Sequence, residues 1–377
     1  MNPPVKHDLS PEAKQTFSVV GLLATVLVVG IHYKSDVPDQ PFASLATANQ
    51  LAQEFVFGGL ARVAVPIFAF AAGLFYFRSD DGTFASYKTK LAGRTRTVLI
   101  PYFIVASVAM LFWLFVRRAE GKPIDVTAPQ FVTTWLLRPP AEQLWFLRDL
   151  MILVAIAPAI GWFCRRPVAC RIFIGAVATA WVVDWQVFPM LAGWRSLQME
   201  TLLFFSLGCI AVSHYDVIER IGRSQTSTIV AAVTLWMSLV VVKILVRANF
   251  DMWYCDDHSL PDVLLHQASI VVGVPVLFAI AWRMRSPWLV RLSGGSFFVY
   301  LVHEFPLRAV AHRISDRFID HDYSCWILTP LVLVGCYTAV VLISRFCPSA
   351  ISMLTGGRIP GLQSKPVGKL SPLSEPN

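Results

Sequence analysis

Apolar stretches of about 17 to 25 residues recur ten times along this chain, and at 1.5 Å of rise per residue a helix of that length crosses the ~30 Å hydrocarbon core of a bilayer. They lie at about 16–33, 55–77, 98–116, 144–163, 171–188, 199–213, 228–246, 263–282, 295–311 and 326–346. The sixth is short, and His303, Glu304 and Pro306 interrupt the ninth. The chain therefore reads as all-α, a polytopic transmembrane helical bundle of about ten spans. Composition agrees: of 377 residues 55% are hydrophobic and only 15% charged, and a mean hydropathy of +0.58 is too high for a soluble globular protein of this size. The first stretch ends in Gly30-Ile31-His32-Tyr33 without a small-x-small cleavage site, which marks an uncleaved span instead of a signal peptide.

The net charge of +8 is spread between the apolar segments and forms no basic stripe, so nucleic acid is not an expected partner. The charge is topogenic. With the N-terminus inside, 19 Lys and Arg fall on inner segments and 10 on outer ones, which predicts N-in/C-in. Residues 16–346 form a single ten-span domain, flanked by segments 1–15 and 347–377 that are rich in Pro, Ser, Gly and Lys and read as mobile cytosolic tails. There is no internal repeat and no inverted pair of broken segments of the kind that marks many transporters. The seven Cys show no Cys-x-x-Cys and no His at zinc-ligand spacing, so no metal site is expected. Cys255 and Cys325 both fall on outer segments, where a bridge between them is one reading and two unlinked thiols the other.

Ionisable residues at membrane depth are expensive and point to function. Counting along alternating spans puts His32 at the outer end of span 1, Arg62 in the outer third of span 2, and Arg148 with Asp149 near the outer end of span 4. Asp184, Glu200 and His266 share that depth, and His303 with Glu304 lie about midway along span 9. Scattered ion pairs need no common depth, whereas an outward-opening polar pocket does. Helix-end snorkelling is the competing account for Arg148, Glu200 and His266, and His32 could simply mark the water boundary. At the inner face Lys88, Lys90, Arg94 and Arg96 cluster before span 3. They suit a phosphorylated ligand, or serve as a positive-inside signal or an anionic-lipid contact. Trp113, Trp135, Trp145, Trp181, Trp185 and Trp194 lie near the outer boundary, as sugar-stacking platforms or as an interfacial belt.

Four passages in order carry a resemblance: Val26-Leu27-Val28-Val29-Gly30-Ile31-His32, Arg94-Thr95-Arg96 with Pro101-Tyr102, Leu144-Trp145-Phe146-Leu147-Arg148-Asp149-Leu150, and Ser296-Phe297-Phe298-Val299-Tyr300-Leu301-Val302-His303-Glu304. With their ten-span setting over residues 16 to 346, they resemble the acyltransferase-3 family of bacterial membrane O-acyltransferases. One departure stands out, because many relatives carry Arg eleven residues before the first-span His and this chain has Gly21. The resemblance implies a multi-pass protein of the bacterial cytoplasmic membrane with no permanently bound cofactor. Its implied donor is cytosolic acyl-CoA, acetyl-CoA in the first instance. The implied acceptor is a surface or exported carbohydrate, free or lipid-linked, with envelope-glycan assembly proteins and membrane lipid as partners.

Acyl transfer to a hydroxyl needs a base and an oxyanion stabiliser, and the resemblance implies that His32 is the base. Arg62, Arg148 or His303 could neutralise the oxyanion or orient His32, with Asp149 or Glu304 as supporting carboxylates. The inner cations Arg94, Arg96, Lys88 and Lys90 would hold the CoA phosphates, about 20 to 25 Å from His32 across some 15 helical residues. That separation demands either a submerged site or an acyl-enzyme relay. A carrier or flippase for a glycan or lipid precursor would use the same pocket without chemistry, and a receptor or scaffold would leave the buried polar set without a purpose.

Overall fold

The computed structural model describes residues 9–37, 45–191, 194–252 and 259–357. Its elements are almost all helical. They are α1 (Pro11–Tyr33), α2 (Thr47–Phe77), α3 (Phe84–Ala119), α4 (Ala128–Leu137), α5 (Glu142–Cys164) and α6 (Pro167–Val182). After a two-residue antiparallel bridge, Met190–Leu191 against Trp194–Arg195, follow α7 (Met199–Ala211), α8 (Tyr215–Gly222), α9 (Thr226–Val246) and α10 (Leu260–Arg283). The chain then forms α11 (Pro287–Ser293), α12 (Ser296–Val302), α13 (Leu307–Ser315), α14 (His321–Phe346) and α15 (Pro348–Thr355). Seven of these helices, α1, α2, α3, α5, α9, α10 and α14, are long and apolar enough to cross a bilayer, and α7 with α8 makes an eighth if that bent pair is one span.

The other expected spans are shorter or broken, for visible reasons. The stretch expected at 171–188 stops at Val182, because Asp184 has a positive φ of 49° and its carboxylate is held bidentately by Arg195 at 2.9 and 3.1 Å. Helices α7 and α8 meet at 103°. The ninth stretch divides into α12 and α13 at His303–Pro306. Cys325 is fully buried among Val29, Tyr33, Phe57 and Leu328, and its suggested partner Cys255 lies outside the described residues. At the chain ends, Ser10 caps α1 by accepting from the Ala13 amide at 3.2 Å. The segment expected as a C-terminal tail contains α15, whose Ile351 is fully buried against Phe298 and Val340.

The tightest crossing joins α2 to α7, where glycines let two backbones touch. A Cβ on Gly73 would stand 2.0 Å from the Phe205 carbonyl oxygen, and one on Gly208 would stand 2.2 Å from that of Phe70. In lipid, where no hydrophobic force draws helices together, such close packing is what holds them. Gly208→Val is therefore expected to lose more than about 3 kcal/mol, above the usual cost of overpacking, because backbone has to move. Thermal unfolding of the detergent-solubilised variant checks this, and a melting curve matching the wild type would refute it.

Polar contacts define two opposed faces. One gathers the end of α1, the starts of α2, α5, α7 and α10, and the end of α9, as shown by Lys34–Glu54, Lys243–Glu54 and Asp149–Gln198 contacts. The other gathers the ends of α2 and α5 with the first turns of α3, where Asp80 binds both Lys90 and Arg165. Asp149 lies in α5 and Arg165 directly caps its end, 16 residues on, so these faces are separated by about 24 Å.

Candidate active site

The break between α12 and α13 builds the site. Pro306 has no amide hydrogen to donate, so the helix that starts at Ser296 stops and leaves carbonyls to be satisfied in an apolar interior. Side chains satisfy them. The Tyr33 hydroxyl donates to the His303 carbonyl at 2.8 Å, and Gln143 Nε2 donates to the Leu301 carbonyl at 2.9 Å. His303 Nδ1 reaches the carbonyls of Val299 and Tyr300 at 3.1 and 2.9 Å. Glu304 accepts from the Phe305 amide at 2.5 Å.

This sealing fixes the chemistry of His303. Carbonyls only accept, so Nδ1 carries the hydrogen, and in the neutral ring Nε2 keeps a bare lone pair. His303 is fully buried, and its Nε2 has no hydrogen-bond partner. The His32 ring stands edge-on to it with centroids 5.1 Å apart. Because Tyr33 follows His32 and holds the backbone of His303, the two imidazoles are kept together by α1 itself. Glu304 lies 3.7 Å from Arg308. The structure thus sets His32 beside His303, with Glu304 next in the chain and, beside that carboxylate, Arg308, a residue not singled out in the sequence.

The remaining expected residues occupy neighbouring roles. Arg62 pairs with Asp251 and donates to the Gly58 carbonyl at 3.3 Å. Arg148 spends its guanidinium on Asp149 at 3.0 Å and on the carbonyls of Leu137 and Arg195 at 3.0 and 2.6 Å. Asp149 is fully buried and accepts from the Gln198 amide at 3.0 Å. This pair braces the start of α5, where Gln143 takes the Tyr300 hydroxyl on its carbonyl and holds Leu301 with its amide. It acts on the histidine pair by placing α12. A further buried group was missed by reading the sequence: Glu54 binds Lys243 at 2.9 Å and Lys34 at 3.0 Å, in a π-helical turn (Glu54–Gly59) of α2. Its partner Lys243 lies 189 residues away, a pairing that hydropathy cannot signal.

On the opposite face the basic segment is divided. Lys90 is committed, with Nζ 2.9 Å from both the Tyr76 carbonyl and Asp80. Arg94, half-buried, and Arg96, exposed, make no hydrogen bond or ion pair among the described residues, and Lys88 only overlies the Phe84 ring at 4.8 Å. A second π-helical turn, Thr95–Leu99, follows Arg94; such turns concentrate at functional sites. Tyr87 donates to the carbonyl of Ala155 at 3.1 Å, which sets this segment against the middle of α5.

Two cavities flank these features. One of about 230 Å³ is lined by Trp113, Thr134, Arg138 and Glu142, on the His32 face. Another of about 270 Å³, lined by apolar side chains such as Phe17, Phe70, Phe204 and Phe278, lies between α1, α2, α7 and α10. Of the boundary tryptophans, Trp113 lines the first cavity and Trp181 lines the second. Trp135 donates to Ser107 at 3.0 Å.

Residues 22–345 match the family model described as an acyltransferase domain, that of the acyltransferase-3 family. The chain is also 24% identical over 356 residues to the succinoglycan biosynthesis protein ExoH of Rhizobium meliloti (strain 1021), covering 90% of this chain and 92% of that one. No solved structure matches. The matched region runs from α1 to α14 and takes in the paired histidines, the broken helix and the basic segment, so the chain belongs to the acyltransferase-3 family and is a multi-pass membrane acyltransferase for groups other than aminoacyl groups.

Proposed function

We propose that this protein moves an acyl group, acetyl in the simplest case, from cytosolic acyl-CoA to a hydroxyl of a surface or exported carbohydrate. The observation that carries the reading is the His32–His303 pair, edge-on at 5.1 Å, with one buried imidazole nitrogen bare. The name of the Rhizobium relative, a polysaccharide biosynthesis protein, supports a carbohydrate acceptor. The excess of Lys and Arg on the Arg94 face supports its being cytosolic and the His32 face external, with both chain ends inside a bacterial inner membrane.

In this mechanism the His32 imidazole takes the proton of the acceptor hydroxyl as that oxygen attacks the thioester carbonyl. His303 Nε2, bare in the resting structure, is the acceptor available to orient the His32 ring once the two rings close up from their 5.1 Å separation, the arrangement of a base held by a third group. Arg308 and Arg62 supply positive charge for the tetrahedral oxyanion. Collapse expels CoA as the thiol, which recovers the proton from His32. Arg94, Arg96 and Lys88, whose cationic groups pair with no acid among the described residues, hold the CoA phosphates. Lys90 was expected among them, and its bonds to Asp80 and Tyr76 favour a bracing role. The cavity beside Trp113, Arg138 and Glu142 suits a sugar ring, which stacks on an aromatic face and hydrogen-bonds around it.

Acyl release from radiolabelled acetyl-CoA in membranes tests the proposal. Arg94→Ala with Arg96→Ala is expected to raise the donor KM by roughly tenfold or more, about 1.4 kcal/mol of lost phosphate contact, with kcat largely kept. Lys90→Ala is expected to lower the amount of folded protein with donor KM unchanged. A carrier without chemistry would consume no acyl-CoA at all, with native glycan extract supplied.

A further inference from the structure

A cluster outside the histidine pair has the makings of a metal site. His312, on the last turn of α13, Asp316, which ends that helix, and His321, the first residue of α14, bring one ligand atom each to within 4.8 Å of one another. His321 Nδ1 is 3.2 Å from Asp316 Oδ1, and the two imidazole rings are 5.0 Å apart. Tetrahedral zinc with bonds of 2.0–2.1 Å holds its ligand atoms about 3.4 Å apart. One edge of that tetrahedron is thus already in place, and the other two close with side-chain rotations of exposed groups. An independent observation points the same way: His312 Nδ1 is buried and has no hydrogen-bond partner. A buried polar nitrogen without a partner calls for an explanation, and a cation is one.

We propose that His312, Asp316 and His321 bind one divalent transition-metal ion of the zinc class. Two imidazoles and one carboxylate select zinc over magnesium or calcium, which prefer all-oxygen shells. Three protein ligands leave a fourth position open to water or an oxygen ligand. The ion clips α13 to α14 across the turn 316–321. The Tyr33 ring stacks on His312 at 5.5 Å while its hydroxyl holds the His303 carbonyl, so the clip sits one side chain from the paired histidines. The linear spacing His312-x8-His321 matches no familiar zinc signature, which is why the fold was needed to see it.

The test uses the full chain, purified in detergent through a tag without histidines, stripped with chelator and titrated with zinc against a chromogenic competitor. One equivalent is expected in the wild type. Asp316→Asn and His321→Gln alter exposed side chains and should each weaken binding by more than the ~10–100-fold that loss of an outer-shell partner costs. Zinc should also raise the melting temperature of the wild type and leave that of His312→Gln with His321→Gln unmoved. No uptake by the wild type overturns the proposal. So does equal uptake by His321→Gln, which would mean zinc held elsewhere on the protein. Should His312→Gln fail to fold, the two exposed variants decide the matter alone.

Discussion

Turnover of acyl-CoA by His32→Ala is expected to fall by about 10²- to 10⁴-fold, the range that a positioned general base contributes. Folding should survive, because His32 is only partly buried and its side chain makes no hydrogen bond or ion pair among the described residues, whereas its neighbour Tyr33 carries the backbone contact to His303. His303→Gln separates orientation from proton transfer. A glutamine keeps a donor for the Val299 and Tyr300 carbonyls and removes the unpartnered imidazole nitrogen, so under the proposed mechanism kcat should drop with the donor KM held. Steady-state kinetics on membranes with matched expression check both. His32→Ala within about twofold of wild type would move the base elsewhere.

The second large effect concerns folding. Glu54→Ala leaves the Lys243 ammonium, only 3% exposed, without its carboxylate, and Lys34 loses the same partner. Breaking a buried pair from one side costs about 3–5 kcal/mol. Removing both charges together, as Glu54→Leu with Lys243→Met, should recover most of that loss, since an apolar replacement of a buried pair is often neutral. Chemical or thermal unfolding of the three proteins in one detergent distinguishes them. Equal stability of Glu54→Ala and wild type would show that Lys243 reaches water or another anion when its partner is gone.

The spans were legible in the sequence because hydropathy over some 20 residues reports directly on contact with lipid. Seven of the ten expected stretches are full-length apolar helices. Depth was read less closely: span alternation and helix rise put His32, Arg62 and Asp149 in the outer part of their spans but His303 midway along its own, whereas the broken helix sets His303 5.1 Å from His32. Partnership was not legible. Arg62 with Asp251 and Glu54 with Lys243 are each joined across 189 residues of chain, and nothing in local composition says which acid meets which base. The same limit separated Lys90, neutralised by Asp80 ten residues before it, from Arg94 and Arg96, which look equivalent to it in the sequence. Helix ends were missed where a single residue decides them, as Asp184 does after α6.

The sealed interruption between α12 and α13 has a consequence for motion. In transporters, unwound helix segments leave carbonyls free for ions and let one half of the fold rock against the other. Here the freed carbonyls of Tyr300, Leu301 and His303 are occupied by His303, Gln143 and Tyr33, drawn from α12's own end, α5 and α1. Rocking would have to break several of these bonds at once in a medium without water to replace them. The interruption is a rivet and not a hinge: under the proposed mechanism, donor and acceptor would reach a stationary centre through separate entrances on the two faces.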